Sequence, residues 1–252
     1  MFAIFVIGTA GSGKSLLSSA LGSWYQQKGA SSIIVNLDPG VIRLPYTPDV
    51  DIRNYIQLDN LMDQYQLGPN GALILASDLL ATKLEEIQSE VDEMNPTYAI
   101  FDTPGQIELF AFRESGQFIT KNLRMDGKSS IYLFDPSLVS SPTNFVSVSL
   151  LAASIQLQLD LPQIAVLTKK DILKDAHKKI MAWSSKTAVL EDAIYSTSPG
   201  TQYILSRNLL QNLVKSGVGS FPIPISSVTL DGMINLTAAL SRIFQGGEEI
   251  DD

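Results

Sequence analysis

Apolar runs rich in β-branched or aromatic residues recur along the chain at 2–7 (FAIFVI), 32–37 (SIIVNL), 98–102 (YAIFD), 130–135 (SIYLFD), 163–168 (QIAVLT) and 222–226 (PIPIS), with longer stretches of helical periodicity between them. Within each run the apolar residues are largely unbroken rather than alternating, which indicates strands buried on both faces. Strand and helix patterns in alternation predict an α/β fold, a mostly parallel sheet covered by helices in three layers. Several runs end in a polar residue, Asp38, Asp102, Asp135 or the group Lys169 to Asp171, and the carboxyl ends of such strands are where open α/β sheets bind ligands.

The helical pattern is clearest from Leu73 onward, where Leu73, Leu80, Leu84, Ile87, Val91 and Met94 predict one long amphipathic helix. Asn54 to Leu67 predicts a shorter helix, closed by Gly68-Pro69-Asn70. Residues 172–216 are too long for an ordinary crossover and predict inserted helices beside the ligand edge. A single domain is expected over 1–245, followed by a frayed acidic tail at 246–252.

Composition narrows the chemistry. The chain has 252 residues, an apolar share of 45% and a formal charge of −8, which suits a globular protein and argues against direct, sequence-independent binding of nucleic acid. It has no cysteine and a single histidine, His177, so thiolate chemistry is excluded and Ser/His catalysis or a multi-histidine zinc site is disfavoured. The first apolar run is too short for a membrane span, so no membrane association and a cytoplasmic location are the expectation.

Directly after that run stands Gly8-Thr-Ala-Gly-Ser-Gly13-Lys14-Ser15, which fits the G-x-x-x-x-G-K-[ST] phosphate-binding loop. Backbone N–H groups of Gly11, Ser12, Gly13, Lys14, Ser15 and Leu16, backed by the N-terminus of the next helix, are expected to cradle phosphate. Lys14 would reach the β/γ-phosphates, and Ser15 would ligate Mg²⁺. After the third run comes Asp102-Thr-Pro-Gly-Gln106, in which Asp102 is the expected metal-site carboxylate, the glycine N–H meets a γ-phosphate and Gln106 orients the attacking water. Asp38, in Asn-Leu-Asp-Pro-Gly, ends the second run and can approach the metal's water shell and the lytic water, although Asp-Pro-Gly is also ordinary turn chemistry.

Base choice rests on Thr168-Lys169-Lys170-Asp171. A carboxylate at Asp171 accepts from both guanine N1–H and its exocyclic amine, donors that adenine lacks at those positions. The Lys169 stem can lie over the base plane, and Ser226 and Ser227 can offer backbone N–H groups to guanine O6.

Together the phosphate loop, the DTPGQ and TKKD segments and Gly68-Pro69-Asn70 resemble the GPN-loop GTPases, and the likeness also covers Leu44-Pro45-Tyr46 and Asp49 to Arg53. Taken alone, Gly-Pro-Asn also fits a left-handed helix cap at Gly68 and an N-cap at Asn70. The lack of a long acidic or helical C-terminal extension is closest to archaeal members. The resemblance implies a three-layer α/β/α P-loop fold of the signal-recognition and MinD class, with the distinguishing segment at about 54–94. It also implies a homodimer hydrolysing GTP to GDP with Mg²⁺, in which Asn70 enters the partner's site. Thr9 stands where MinD-type loops carry a signature lysine, and no cis arginine finger is evident, so an amide supplied in trans fits the missing charge stabilisation.

Thr168 departs from the Asn usual in the guanine motif, and Gly40 stands where relatives often have alanine. Eukaryotic relatives are tied to RNA polymerase assembly, but no residue here identifies a protein client. Two alternatives stay open: a nucleotide-gated assembly factor with little turnover, and an ATP-dependent small-molecule kinase. The kinase would need an arginine-rich lid, and 172–216 holds only Arg207.

Overall fold

The computed structural model describes residues 1–173, 176–197, 200–215 and 222–245. The strands are β1 (Phe2–Gly8), β2 (Ser32–Asn36), β3 (Val50–Asp51), β4 (Tyr98–Asp102), β5 (Gly127–Phe134), β6 (Gln163–Leu167) and β7 (Ile223–Pro224). They form one sheet in the order β3-β2-β4-β1-β5-β6-β7, and every pairing is parallel. Parallel neighbours need crossovers, and helices supply most of them.

These helices are α1 (Lys14–Gln27), α2 (Leu58–Tyr65), α3 (Pro69–Leu79), α4 (Leu84–Met94), α5 (Glu108–Ala111), α6 (Glu114–Asn122), α7 (Pro142–Leu159), α8 (Lys170–Leu173), α9 (Ala176–Ser185), α10 (Thr187–Thr197), α11 (Thr201–Lys215) and α12 (Met233–Phe244). Alternate side chains of each strand face opposite layers. Ile4, Val6, Ile131 and Val166 pack with Leu17 and Leu21 of α1 and Leu236 and Leu240 of α12. On the other face Phe5, Ile7, Phe101 and Tyr132 pack with residues from α3 to α7 and α9 to α11. The Phe5 and Phe101 rings stack across β1 and β4 at 4.8 Å.

All six apolar runs are strands, and the fold is the expected three-layer one. Three details differ. Strand β3 is only two residues long, too short for any periodicity, and Asp49 anchors it: its carboxylate accepts from Ile34 N–H at 2.8 Å and its own N–H donates to Ile34 O at 2.9 Å. The expected strand at 222–226 shrinks to Ile223–Pro224, because the prolines lack the N–H that a longer ladder needs. The long helix expected from Leu73 to Met94 is broken by a 3-10 turn over Leu80–Lys83, which brings both Leu80 and Leu84 into the core.

The region expected as an insertion is α8 to α11, and it completes the core rather than sitting apart from it. Leu190 and Ile194 are fully buried, and Trp183 meets Phe145 of α7 edge-on at 6.3 Å. The acidic tail lies outside the described residues. No helix among the described residues is long and apolar enough to cross a membrane.

Candidate nucleotide-binding site

At the carboxyl edge of the sheet, the loops after β1, β2, β4, β5, β6 and β7 converge. Along the chain a single strand separates the glycine loop from Asp38. In space β4 lies between β1 and β2, so Asp102 adjoins the glycine loop and Asp38 comes from one strand further out.

The glycine loop is built for an anion. Gly11 and Gly13 hold φ of 75° and 99°, values that strain any residue with a Cβ. Gly13 is the N-cap of α1 and has no capping side chain, so the N–H groups of Lys14, Ser15 and Leu16 have no intrahelical acceptor. Ser12 is buried with an unpartnered hydroxyl, Ser15 is half-buried and the Leu16 side chain is exposed. Lys14 is buried, and its Nζ donates to Gly8 O at 2.9 Å, Thr9 O at 3.0 Å and Gly105 O at 3.5 Å. Burial pushes its pKa down, and Asp102 and Asp38 pull it back up. The loop carbonyls therefore hold the ammonium where phosphate oxygens would otherwise compensate it.

Both carboxylates expected here are present, and each is already engaged. Asp38 Oδ1 accepts from Gly40 N–H at 2.9 Å, and Oδ2 accepts from Gly105 N–H at 3.0 Å. Gly105 is thus bonded through its N–H to Asp38 and through its carbonyl to Lys14, so the amide expected to meet a γ-phosphate is occupied by a carboxylate. Gln106 beside it is exposed.

Asp102 is 1% exposed, and its Oδ2 accepts from the Tyr46 hydroxyl at 2.7 Å, while Oδ1 has no partner. Burial raises the Asp102 pKa, opposed by the neighbouring Ser15 and Tyr46 hydroxyls and by the Lys14 charge. Burial and the Asp102 carboxylate likewise push the Tyr46 phenol up. An orphaned, buried carboxylate oxygen beside Ser15 makes a hard, all-oxygen donor set, and Mg²⁺ is typically held by one or two carboxylates together with water and substrate phosphate. These residues fit that ion.

Four residues at this edge, Asn36, Asp51, Arg53 and Asp135, lie in segments quoted from the sequence but were given no role in the site there. Asn36 Nδ2 donates to Asp51 Oδ1 at 2.9 Å and to Asp38 O at 3.2 Å. Arg53 grips Asp51 through Nε and Nη2 and donates from Nη1 to Val41 O at 3.0 Å. Its guanidinium braces the loop that carries Asp38 and is committed there, so it is not a free arginine finger. Asp135 receives the Ser137 N–H and hydroxyl on Oδ1 and the Lys169 ammonium on Oδ2 at 2.8 Å.

On the base side, Lys169 also donates to Gly11 O at 2.8 Å, laying its stem across the glycine loop. Asp171 is exposed at the start of α8. Thr168 is buried, and both its N–H and its hydroxyl point to Phe134 O, at 3.2 and 3.4 Å. It braces two strand ends and does not reach for a base. The Ser226 N–H is given to Asp231 O at 2.9 Å, so it is not available to guanine O6 as expected, and Ser227 is left for that contact.

Gly68, Pro69 and Asn70 are exposed at the start of α3. Neither capping alternative holds: the left-handed residue that ends α2 is Gln66, with φ 52°, and the N-cap of α3 is Gly68 in extended backbone, with Pro69 at the first helical position. Asn70 therefore sits in the first turn with its amide free of capping duty. This helix presses on the Asp38 loop, since a Cβ at Gly40 would stand 2.6 Å from Leu73 Cδ2. A side chain at position 40 would require the Leu73 tip to shift. A depression of about 260 Å³ opens between Thr9 and Gln106, walled by Phe112 and Leu151.

A family profile described as "Conserved hypothetical ATP binding protein" matches residues 6–246. GPN-loop GTPase 3 of Eremothecium gossypii is 31% identical over 251 residues, covering 97% of this chain and 92% of that protein. GPN-loop GTPase 1 of Saccharomyces cerevisiae is 38% identical over 195 residues, covering 75% of this chain and 51% of that protein. The chain thus spans about half the length of the GPN-loop GTPase 1 relatives it matches. The crystal structure of a GTPase in apo form from Pyrococcus abyssi matches with a TM-score of 0.85 at 28% identity, covering 97% of both chains.

Proposed function

The chain belongs to the GPN-loop GTPase family, and on that premise we propose that it is a homodimeric, Mg²⁺-dependent enzyme that hydrolyses GTP to GDP and phosphate and works as a molecular switch or assembly factor. The observation that carries this reading is the convergence beside the glycine loop of Gly105, bonded to both Lys14 and Asp38, with Asp102, whose charge acts on Lys14.

Lys14 and the first N–H groups of α1 bind the β- and γ-phosphates. Mg²⁺, held through Ser15 and Asp102, supplies charge compensation when bound. The Gly105 N–H, on leaving Asp38, meets a γ-phosphate oxygen, and Gln106 orients water for attack on the γ-phosphorus. The bond from that phosphorus to the β–γ bridging oxygen breaks, GDP leaves, and the water's proton passes to the released phosphate. Asp38, freed of Gly105, is then positioned to hold this water. Asn70 of the partner subunit adds its amide to the γ-phosphate and water. Two features support that assignment: the amide is exposed and unused as a cap, and an open depression lies between Thr9 and Gln106.

Guanine preference rests on Asp171 and Lys169, with Thr168 and Ser226 turned inward. Calorimetry with GTP and ATP tests it: GTP is expected to bind at least about tenfold tighter, about 1.4 kcal/mol, and Asp171→Asn to reduce that margin. Equal affinities would overturn the guanine assignment and favour an ATP-dependent enzyme.

A further inference from the structure

The two oxygens of Asp102 have different surroundings, and the difference assigns a role to a residue that had none from sequence alone. Oδ2 accepts the Tyr46 hydroxyl at 2.7 Å, whereas Oδ1 is buried and has no partner. A carboxylate that turns freely about its last bond presents either oxygen. One pinned through Oδ2 presents only Oδ1, and in a single direction.

Tyr46 is itself held. It lies in the loop between β2 and β3, whose far end is fixed by the paired bonds between Asp49 and Ile34 and whose near end is fixed by Arg53 on Val41 O. The phenol is half-buried, and as a donor it has a carboxylate acceptor directly beside it. Asp38 stands in the same loop, so the segment carrying the water-side carboxylate also fixes the metal-side one.

We propose that Tyr46 is a positioning residue for the metal site. Its hydroxyl stays on Asp102 Oδ2 in the loaded state and aims Oδ1 at the divalent cation or a water bound to it. This inference rests on the nucleotide-hydrolase reading above. Outer partners of metal-ligating groups typically contribute about 10- to 100-fold to metal affinity.

The test is Tyr46→Phe, which removes one hydroxyl and keeps the ring. Binding of Mn²⁺ to the protein–GDP complex is followed by the electron paramagnetic resonance of free Mn²⁺, and GDP affinity is measured separately in excess chelator. The variant is expected to lose about tenfold or more in Mn²⁺ affinity while its metal-free GDP affinity stays within about twofold of wild type. An unaltered melting temperature and Asp102→Asn as the low-affinity reference separate this from a folding defect. Unchanged Mn²⁺ affinity overturns the proposal. So does tighter binding, which would make the phenol a placeholder that leaves when metal arrives. Failure of the wild-type protein to bind GDP at all would sink the underlying reading instead, so the two failures are distinct.

Discussion

Replacing Asp38 by alanine is expected to tighten binding of a triphosphate while impairing its hydrolysis. Asp38 Oδ2 holds the Gly105 N–H at 3.0 Å, and a γ-phosphate must take that N–H away. A hydrogen bond from a backbone amide to a charged acceptor contributes about 1.5–3 kcal/mol net. Asp38 is half-buried, so solvent screening brings the value nearer to about 1 kcal/mol, roughly fivefold in affinity. A non-hydrolysable GTP analogue should therefore bind Asp38→Ala about five times more tightly, and GDP, lacking the γ-phosphate, should bind within about twofold of wild type. Removing a negative charge near the phosphates also favours binding, and Asp38→Asn separates the two effects. Asparagine loses the charge and keeps a carbonyl acceptor for Gly105, so its gain should be the smaller. Calorimetry of both variants with analogue and GDP reads this directly. Equal gains for Ala and Asn would show that charge alone is responsible. Weaker analogue binding in Asp38→Ala would place the carboxylate on the ground-state metal shell and refute the competition for Gly105.

Gln106 is exposed and its proposed role concerns only the attacking water, so Gln106→Ala should leave analogue affinity unchanged and slow single-turnover hydrolysis by about 10²-fold, whereas Lys14→Ala should weaken binding by about the same factor; a wild-type rate in Gln106→Ala would pass the water to Asp38. Asn70→Ala should keep GTP affinity and cut turnover about 10²-fold, and mixing it with Lys14→Ala subunits should restore part of the activity, because the intact nucleotide site then receives Asn70 from its partner. No recovery despite heterodimers seen by native mass spectrometry would place Asn70 in cis. Burial raises the Asp135 pKa, but hydrogen bonds from Lys169 and Ser137 outweigh it and leave the pKa lowered. Its contribution to stability is therefore full above the ordinary carboxylate pKa of about 4 and lost as pH falls through its own lower value. Asp135→Asn should melt earlier than wild type at neutral pH and converge with it in acid; a gap that persists in acid would mean packing rather than charge.

What could be read from the chain was whatever a short window carries. A strand buried on both faces writes an unbroken apolar run, so β1, β2, β4, β5 and β6 were legible, as was the polar residue that ends or follows each of the last four. The glycine loop was legible because its backbone demands glycine at Gly11 and Gly13 and its chemistry demands Lys14 next to them. Contacts set by strand order were not. Asp38 and Gly105 are 67 residues apart and meet because β4 slots between β1 and β2, an order that no local pattern announces. For the same reason Asp38 was read as free for a metal or water and Gly105 as free for phosphate, although in this structure each occupies the other. Tyr46 escaped notice as a functional group because a tyrosine in a coil has no periodicity, and its significance comes from an oxygen on a strand 56 residues away. Ser226 shows the converse error: its position after the last strand was right, but Asp231 O five residues on had already claimed its N–H. Local chemistry specifies which groups can serve the site, and tertiary pairing decides which are occupied before the nucleotide arrives. On the proposed reading, nucleotide binding in the loops that carry Asp38 and Gly105 is first an exchange of partners.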